Sequence, residues 1–172
     1  MGNGWSFTQL TDGWVHVELD NSSGTKASRS ELYVSVDSNI IPSEDYTFLF
    51  EFKNAVLDTV VGSGNGSGRN YIMQASNTQF WGNSAKKTLE GLSSDNSTLT
   101  YVRDLPTDGS TYIKRFVKTS EAANSQNRTA NPTTMVCLVF FAGIGEKYSF
   151  DYRASLYRGE YLGSYVPSYI VD

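Results

Sequence analysis

Trp14, His16 and Glu18 stand at alternate positions in the run Trp14-Val-His-Val-Glu-Leu-Asp20. In a β-strand, alternate residues share a face. Val15, Val17 and Leu19 therefore predict a core face, and Trp14, His16 and Glu18 the face away from it. An outward indole beside hydrogen-bonding side chains suits a sugar ring. The aromatic face packs on sugar C–H groups while polar neighbours take the hydroxyls. By the same alternation Tyr33, Ser35, Glu51 and Lys53 lie on outward faces of their strands. Those that share a sheet with Trp14 would complete a concave platform. Trp81, in Gln79-Phe-Trp-Gly82, precedes a glycine and a polar stretch, where a tryptophan either caps a ligand groove or plugs the open end of a sandwich. The competing reading packs Trp14 under a loop as a second small core and leaves His16 and Glu18 solvated.

The same residues argue against catalysis. His16 is the sole histidine and the one side chain whose ordinary pKa suits a general base near neutrality. Serine and aspartate are plentiful, but no Gly-x-Ser-x-Gly elbow marks a nucleophile. Glycosidase chemistry needs two carboxylates at a set separation, and among 18 acidic residues some pair always meets it, so the spacing carries no information. The expectation is a protein that is not an enzyme. One histidine and one cysteine cannot assemble a zinc cluster. A structural calcium ion fits a module of this kind, but no Asp-x-Asp-x-Asp-Gly loop is present and no ligands are indicated. No other cofactor is expected. The Gly62–Gly68 stretch lacks the Gly-Lys-Ser/Thr of a phosphate loop and reads as a hairpin loop. Cys137, inside Met135-Val-Cys-Leu-Val-Phe-Phe141, reads as a small buried hydrophobe. The Asn-x-Ser/Thr sequons at Asn21, Asn65, Asn96 and Asn127 are near chance in a chain this rich in Asn, Ser and Thr.

These side chains must be positioned by strands. Trp5–Gln9 reads as a first strand with Trp5 at the core edge, and Asp12-Gly13 as a turn. Glu31–Asp37 and Tyr46–Lys53 alternate, the latter setting Phe48, Phe50 and Phe52 on one face. Short strands follow at Tyr71–Ala75 and Gln79–Trp81. Asn83–Gly91 is the one stretch that predicts a helical turn, with Ser84 as N-cap and Gly91 as stop. Ser97–Arg103 and Thr111–Lys118 are strands joined through the turn Pro106-Thr-Asp-Gly109. Ser120–Pro132 is a long polar loop. Thr134–Ala142 is apolar on both faces and reads as a central strand. Lys147–Tyr157 alternates strictly: Tyr148, Phe150, Tyr152, Ala154 and Leu156 face the core. Asp151 and Arg153 lie opposite, as ordinary surface charges. A strand so long needs neighbours on both edges.

At 172 residues, with 13% aromatic and 19% charged residues, the chain has the length of one domain and too little charge for disorder. About ten short strands with turn signals between them predict an all-β fold, a two-sheet antiparallel β-sandwich or jelly roll spanning residues 1–172. A net charge of −4 and a pI near 5.0 argue against nucleic acid as a partner. No apolar run approaches the ~18 residues of a membrane span, so no membrane insertion is expected. A strand pattern already present at Trp5 is expected of a segment cut from a longer protein.

Two stretches carry a resemblance. Arg153-Ala-Ser-Leu-Tyr-Arg-Gly-Glu-Tyr-Leu-Gly-Ser-Tyr-Val-Pro167 resembles the ending of carbohydrate-binding-module-like jelly-roll domains in prophage minor tail proteins of Gram-positive bacteria, which close on Arg-x-Ser-Leu-Tyr-x-Gly-x-Tyr-x-Gly-x-Tyr. Asp12-Gly-Trp-Val-His-Val-Glu-Leu-Asp-Asn-Ser-Ser-Gly24 resembles their early strand and turn. The Asn-Leu-Leu-x-Asn-type opening strand of such modules is missing here. The resemblance implies an extracellular or virion-associated module in a phage tail. Its partners would be a glycan or cell-surface polysaccharide, other tail subunits, or the remainder of a parent chain. The alternative within the same setting is a structural or assembly domain, in which Tyr161, Tyr165 and Tyr169 pack against neighbouring subunits.

Overall fold

The structure is a computed structural model that describes residues 4–36, 40–61, 71–73, 80, 84–91, 97–121 and 134–166. The strands are β1 (Trp5–Gln9), β2 (Val15–Asp20), β3 (Ser28–Val36), β4 (Asp45–Thr59), β5 (Tyr71–Met73), β6 (Lys87–Glu90), β7 (Leu99–Tyr101), β8 (Tyr112–Thr119), β9 (Thr134–Ala142) and β10 (Lys147–Arg158). Among the described residues they form a six-stranded sheet, β1-β2-β10-β4-β8-β6, and a four-stranded sheet, β3-β9-β5-β7. Every strand pair is antiparallel.

The long closing strand β10 has a neighbour on each edge, β2 and β4, as its regular alternation requires. Its inward residues Tyr148, Phe150 and Tyr152 are buried, as are Phe48, Phe50 and Phe52 on β4, and Val17 and Leu19 on β2. Phe140 of β9 joins the sheets. Its ring meets Trp5, Phe7, Phe150 and Tyr152, all from the larger sheet. Trp5 is buried and donates its indole N–H to Ser28 Oγ at 3.0 Å, a second tie between the sheets. The core is therefore an aromatic layer between two facing sheets, the arrangement that alternating apolar strands dictate.

The β1–β2 hairpin turns through Asp12 and Gly13, with φ of +54° and +76°. Two positive φ values in succession are the type I′ pattern that Asp-Gly supports. Trp14 N–H donates to the Thr11 carbonyl at 3.1 Å and closes that turn. In β4, Asn54 takes φ +53°, and the β10 register slips close by. Asparagine tolerates this left-handed backbone, and the bulge breaks the alternation of the strand.

The stretch expected as a helical turn differs. Its residues Lys87–Glu90 form the edge strand β6, paired with β8 through Lys87–Val117 and Thr88–Phe116. A capping signal is local, whereas the edge of β8 offers ladder pairing to Lys87–Glu90, and the pairing prevails. Glu90 also pairs with Arg115 of β8.

Candidate functional site

His16 and Glu18 lie on the outer face of the six-stranded sheet, as the alternation predicts, and Trp14, one residue ahead of β2, lies on the same side against Lys53 and Arg153. Register sets their neighbours. Thr8, His16, Asp151 and Lys53 make one row across β1, β2, β10 and β4, and Ser6, Glu18, Ser149 and Val56 make the next.

His16 is half-exposed and its Nδ1 lies 2.7 Å from Asp151 Oδ1. Asp151 is buried, and its second oxygen accepts a 2.7 Å hydrogen bond from Asn54 Nδ2. The Asn54 bulge makes this reach possible. An ionised carboxylate only accepts, so Nδ1 carries the proton that points at Asp151, and Nε2 is the nitrogen left to meet a ligand. The histidine is thus fixed in tautomer and orientation by residues behind it. Among the described residues, no other group hydrogen-bonds to His16. Glu18 is exposed, with Ser6 Oγ 3.5 Å from its Oε2.

Trp14 departs from the expected open platform. It points outward but is only 8% exposed. Lys53 Nζ lies 4.0 Å and the Arg153 guanidinium carbon 4.5 Å from its ring centroid, both in cation–π range. Arg153 is itself capped by Tyr165, at 4.1 Å, and pairs with buried Glu51. Asp151 and Arg153 are therefore not the solvated charges that alternation suggested. Both are organised parts of this face.

The cover comes from the chain end. Thr47, Leu49, Arg115, Val117 and Ser155 point outward by alternation, yet all are buried. The segment Gly159–Val166 runs across this face as a strap. Thr47 Oγ1 donates to Gly159 O at 2.6 Å, Arg115 Nη2 to Gly163 O at 2.7 Å, and Ser155 Oγ to Val166 O at 2.9 Å. Tyr161 stacks on Tyr157, with centroids 3.8 Å apart.

No family model, no curated protein and no solved structure matches this chain.

Of the other residues singled out from the sequence, Tyr33 belongs to β3 of the smaller sheet, where it is opposite Cys137. It does not share a sheet with Trp14, and its side chain lies outside what is described. Trp81 and Tyr169 lie outside the described residues. Among the described residues no cluster of three or more His, Cys, Asp or Glu could hold a metal ion, and no helix is long and apolar enough to cross a membrane.

Alternation marks Glu51, Lys53, Asp151 and Arg153 as outward, but their adjacency needs the β2-β10-β4 order. Asn54 and Tyr165 give no sequence signal of their roles, since one depends on a bulge and the other on where the strap lands. A concavity of about 400 Å³ is lined by Ser43, Glu44, Asp45, Lys86, Thr119, Arg158 and Gly159. Its charges are already matched: Lys86 pairs with Asp45 at 2.6 Å, and Arg158 with Glu44. Hydrogen bonds from Arg158 and from Lys86 hold the Glu44 and Asp45 carboxyls below the usual range. It offers a ligand no charge left to satisfy.

Proposed function

We propose that this protein is a non-catalytic, jelly-roll-type glycan-binding module whose ligand face is the outer surface of the six-stranded sheet around Trp14, His16 and Glu18. The observation that carries the reading is His16, held by buried Asp151 and Asn54 so that a fixed nitrogen meets solvent. The hydroxyls of Ser6 and Thr8 and the Glu18 carboxylate lie on the same face and suit sugar hydroxyls. The two facing antiparallel sheets support the jelly-roll reading. The non-catalytic part of the reading rests on the sequence, which carries no nucleophile elbow to go with its single histidine. The resemblance to tail-protein modules supports an extracellular or virion setting, where weak single sites gain strength through many copies.

The test is a glycan array followed by calorimetry on the full chain. His16→Ala and Glu18→Gln should each weaken binding about tenfold, or about 1.4 kcal/mol. If the chain binds no glycan, or both variants bind as the parent does, the assignment fails. One observation favours an assembly role instead: the strap exposes Leu162 at 71% and Val166 at 40%. A strict monomer in sedimentation, at concentrations well above those used for binding, would remove that alternative.

A further inference from the structure

We propose that the distal end of the strap, Gly163–Val166, is a lid on the Trp14 end of the ligand face, closed by the stack Trp14–Arg153–Tyr165. The proposal rests on the glycan-binding reading for its biological meaning, but the lid itself stands on geometry. Trp14 faces outward one residue ahead of β2 and is nonetheless nearly covered. Two cationic side chains, Lys53 and Arg153, lie over its ring, and Tyr165 of the strap caps the second.

The strap has two unequal halves. The proximal half is anchored in buried surroundings. Thr47, fully buried, donates to Gly159 O and accepts from Tyr161 N–H at 3.0 Å, and buried Arg115 holds Gly163 O. Two bonds of the distal half are ones that water can replace. Val166 N–H donates to Tyr157 Oη at 2.7 Å and Tyr161 Oη to Ser164 O at 2.7 Å, both at exposed positions. Ser155 Oγ adds a partly buried clasp on the Val166 carbonyl. Exposed hydrogen bonds contribute little net free energy, so the two halves are able to part at Gly163.

The closed position is nevertheless a built seat. A Cβ on Gly13 would lie 2.1 Å from Tyr165 Oη, so the tyrosine hydroxyl occupies space that any other residue at the hairpin turn would fill. A Cβ on Gly163 would lie 2.4 Å from Tyr161 Oη, so the hinge too depends on a missing side chain. When the lid lifts, Arg153 keeps Glu51 and loses its aromatic cap, and its long 3.5 Å contact with the Asp12 carbonyl is what the guanidinium must give up to leave the indole. A sugar ring then takes the place of Arg153 against Trp14. Affinity at this site is lowered by the fraction of molecules that are closed.

The experiment reads the lid directly. Acrylamide quenching of the full chain is measured with and without Trp14→Phe, and the difference isolates the Trp14 signal. The closed parent should show a poorly quenched Trp14. Tyr165→Ala should raise its quenching several-fold with little change in Tm, and should tighten binding of whichever glycan the array identifies. Tyr157→Phe, which removes the exposed clamp on Val166, should act in the same direction more weakly. Unchanged Trp14 quenching in both variants overturns the lid. So does collapse of Tm in Tyr165→Ala with no change in Tyr157→Phe, since the tail would then be core. Greater Trp14 quenching in a chain that binds no glycan sustains the lid and defeats the glycan reading alone.

Discussion

Replacing Lys118 by methionine should stabilise this protein at neutral pH and cease to do so in alkali. Lys118 sits on β8 opposite Tyr46, among core residues, and is 4% exposed. Its ammonium donates to the Phe80 carbonyl at 3.0 Å. Burial is the main cause that brings its pKa down from 10.5 to about 8, with Glu121 pulling weakly the other way. Between those two values the unfolded chain binds the Lys118 proton and the folded chain does not, so folding stability rises with pH across that window. The difference between 10.5 and about 8 amounts to about 3 kcal/mol. At pH 7 the folded protein bears that cost in full. Lys118→Met removes the cost and also the ammonium's hydrogen bonding, the bond to Phe80 included, whose loss is about 1 kcal/mol. The net expectation is a gain of about 2 kcal/mol at pH 7, shrinking through zero near pH 10. Burial also pushes the Tyr148 and Tyr152 hydroxyls above the usual tyrosine range, so both forms lose stability above about pH 10 as the unfolded tyrosines ionise. That term cancels between parent and variant. Urea unfolding of both at unit steps from pH 7 to pH 10 measures the difference. A difference that does not change with pH would refute the reasoning, since the Lys118 charge would then not be desolvated in the fold.

Two further perturbations probe the core and the site. Phe140→Ala removes the ring that ties β9 to the larger sheet, and should cost about 3–5 kcal/mol in denaturant unfolding; a loss below about 1 kcal/mol would mean the sheets are joined elsewhere. Asp151→Ala strips His16 Nδ1 and Asn54 of their shared acceptor and should cost about 2 kcal/mol. Nitrogen-15 NMR should then show the His16 ring leaving its single tautomer, whereas a ring still protonated only at Nδ1 would show that Asp151 does not orient it.

Much of the fold is legible in period-2 patterns. Val17 and Leu19, the Phe48-Phe50-Phe52 set and the Tyr148-Phe150-Tyr152 set each declare one inward face, and each is buried in the structure. The Asp12-Gly13 turn is equally local, because its two positive φ values suit those residue types. The Asn83–Gly91 stretch misleads for the opposite reason. Its cap-and-stop residues describe an isolated segment, while the free edge of β8 decides its state. The site was half legible. Trp14, His16 and Glu18 do share a face, but Tyr33 belongs to the other sheet.

The sequence by itself determined which side of each strand faces the core, because alternation is a property of consecutive residues. It could not determine which strands lie side by side, since pairing joins residues far apart in the chain. Tertiary structure alone placed β10 between β2 and β4, and so brought Asp151 to His16 across 135 positions. It alone folded Gly159–Val166 back over the outer face. The same outward position that alternation assigns to Trp14 thereby became a covered one. Facing away from the core and facing solvent are different conditions, and only the path of the whole chain separates them.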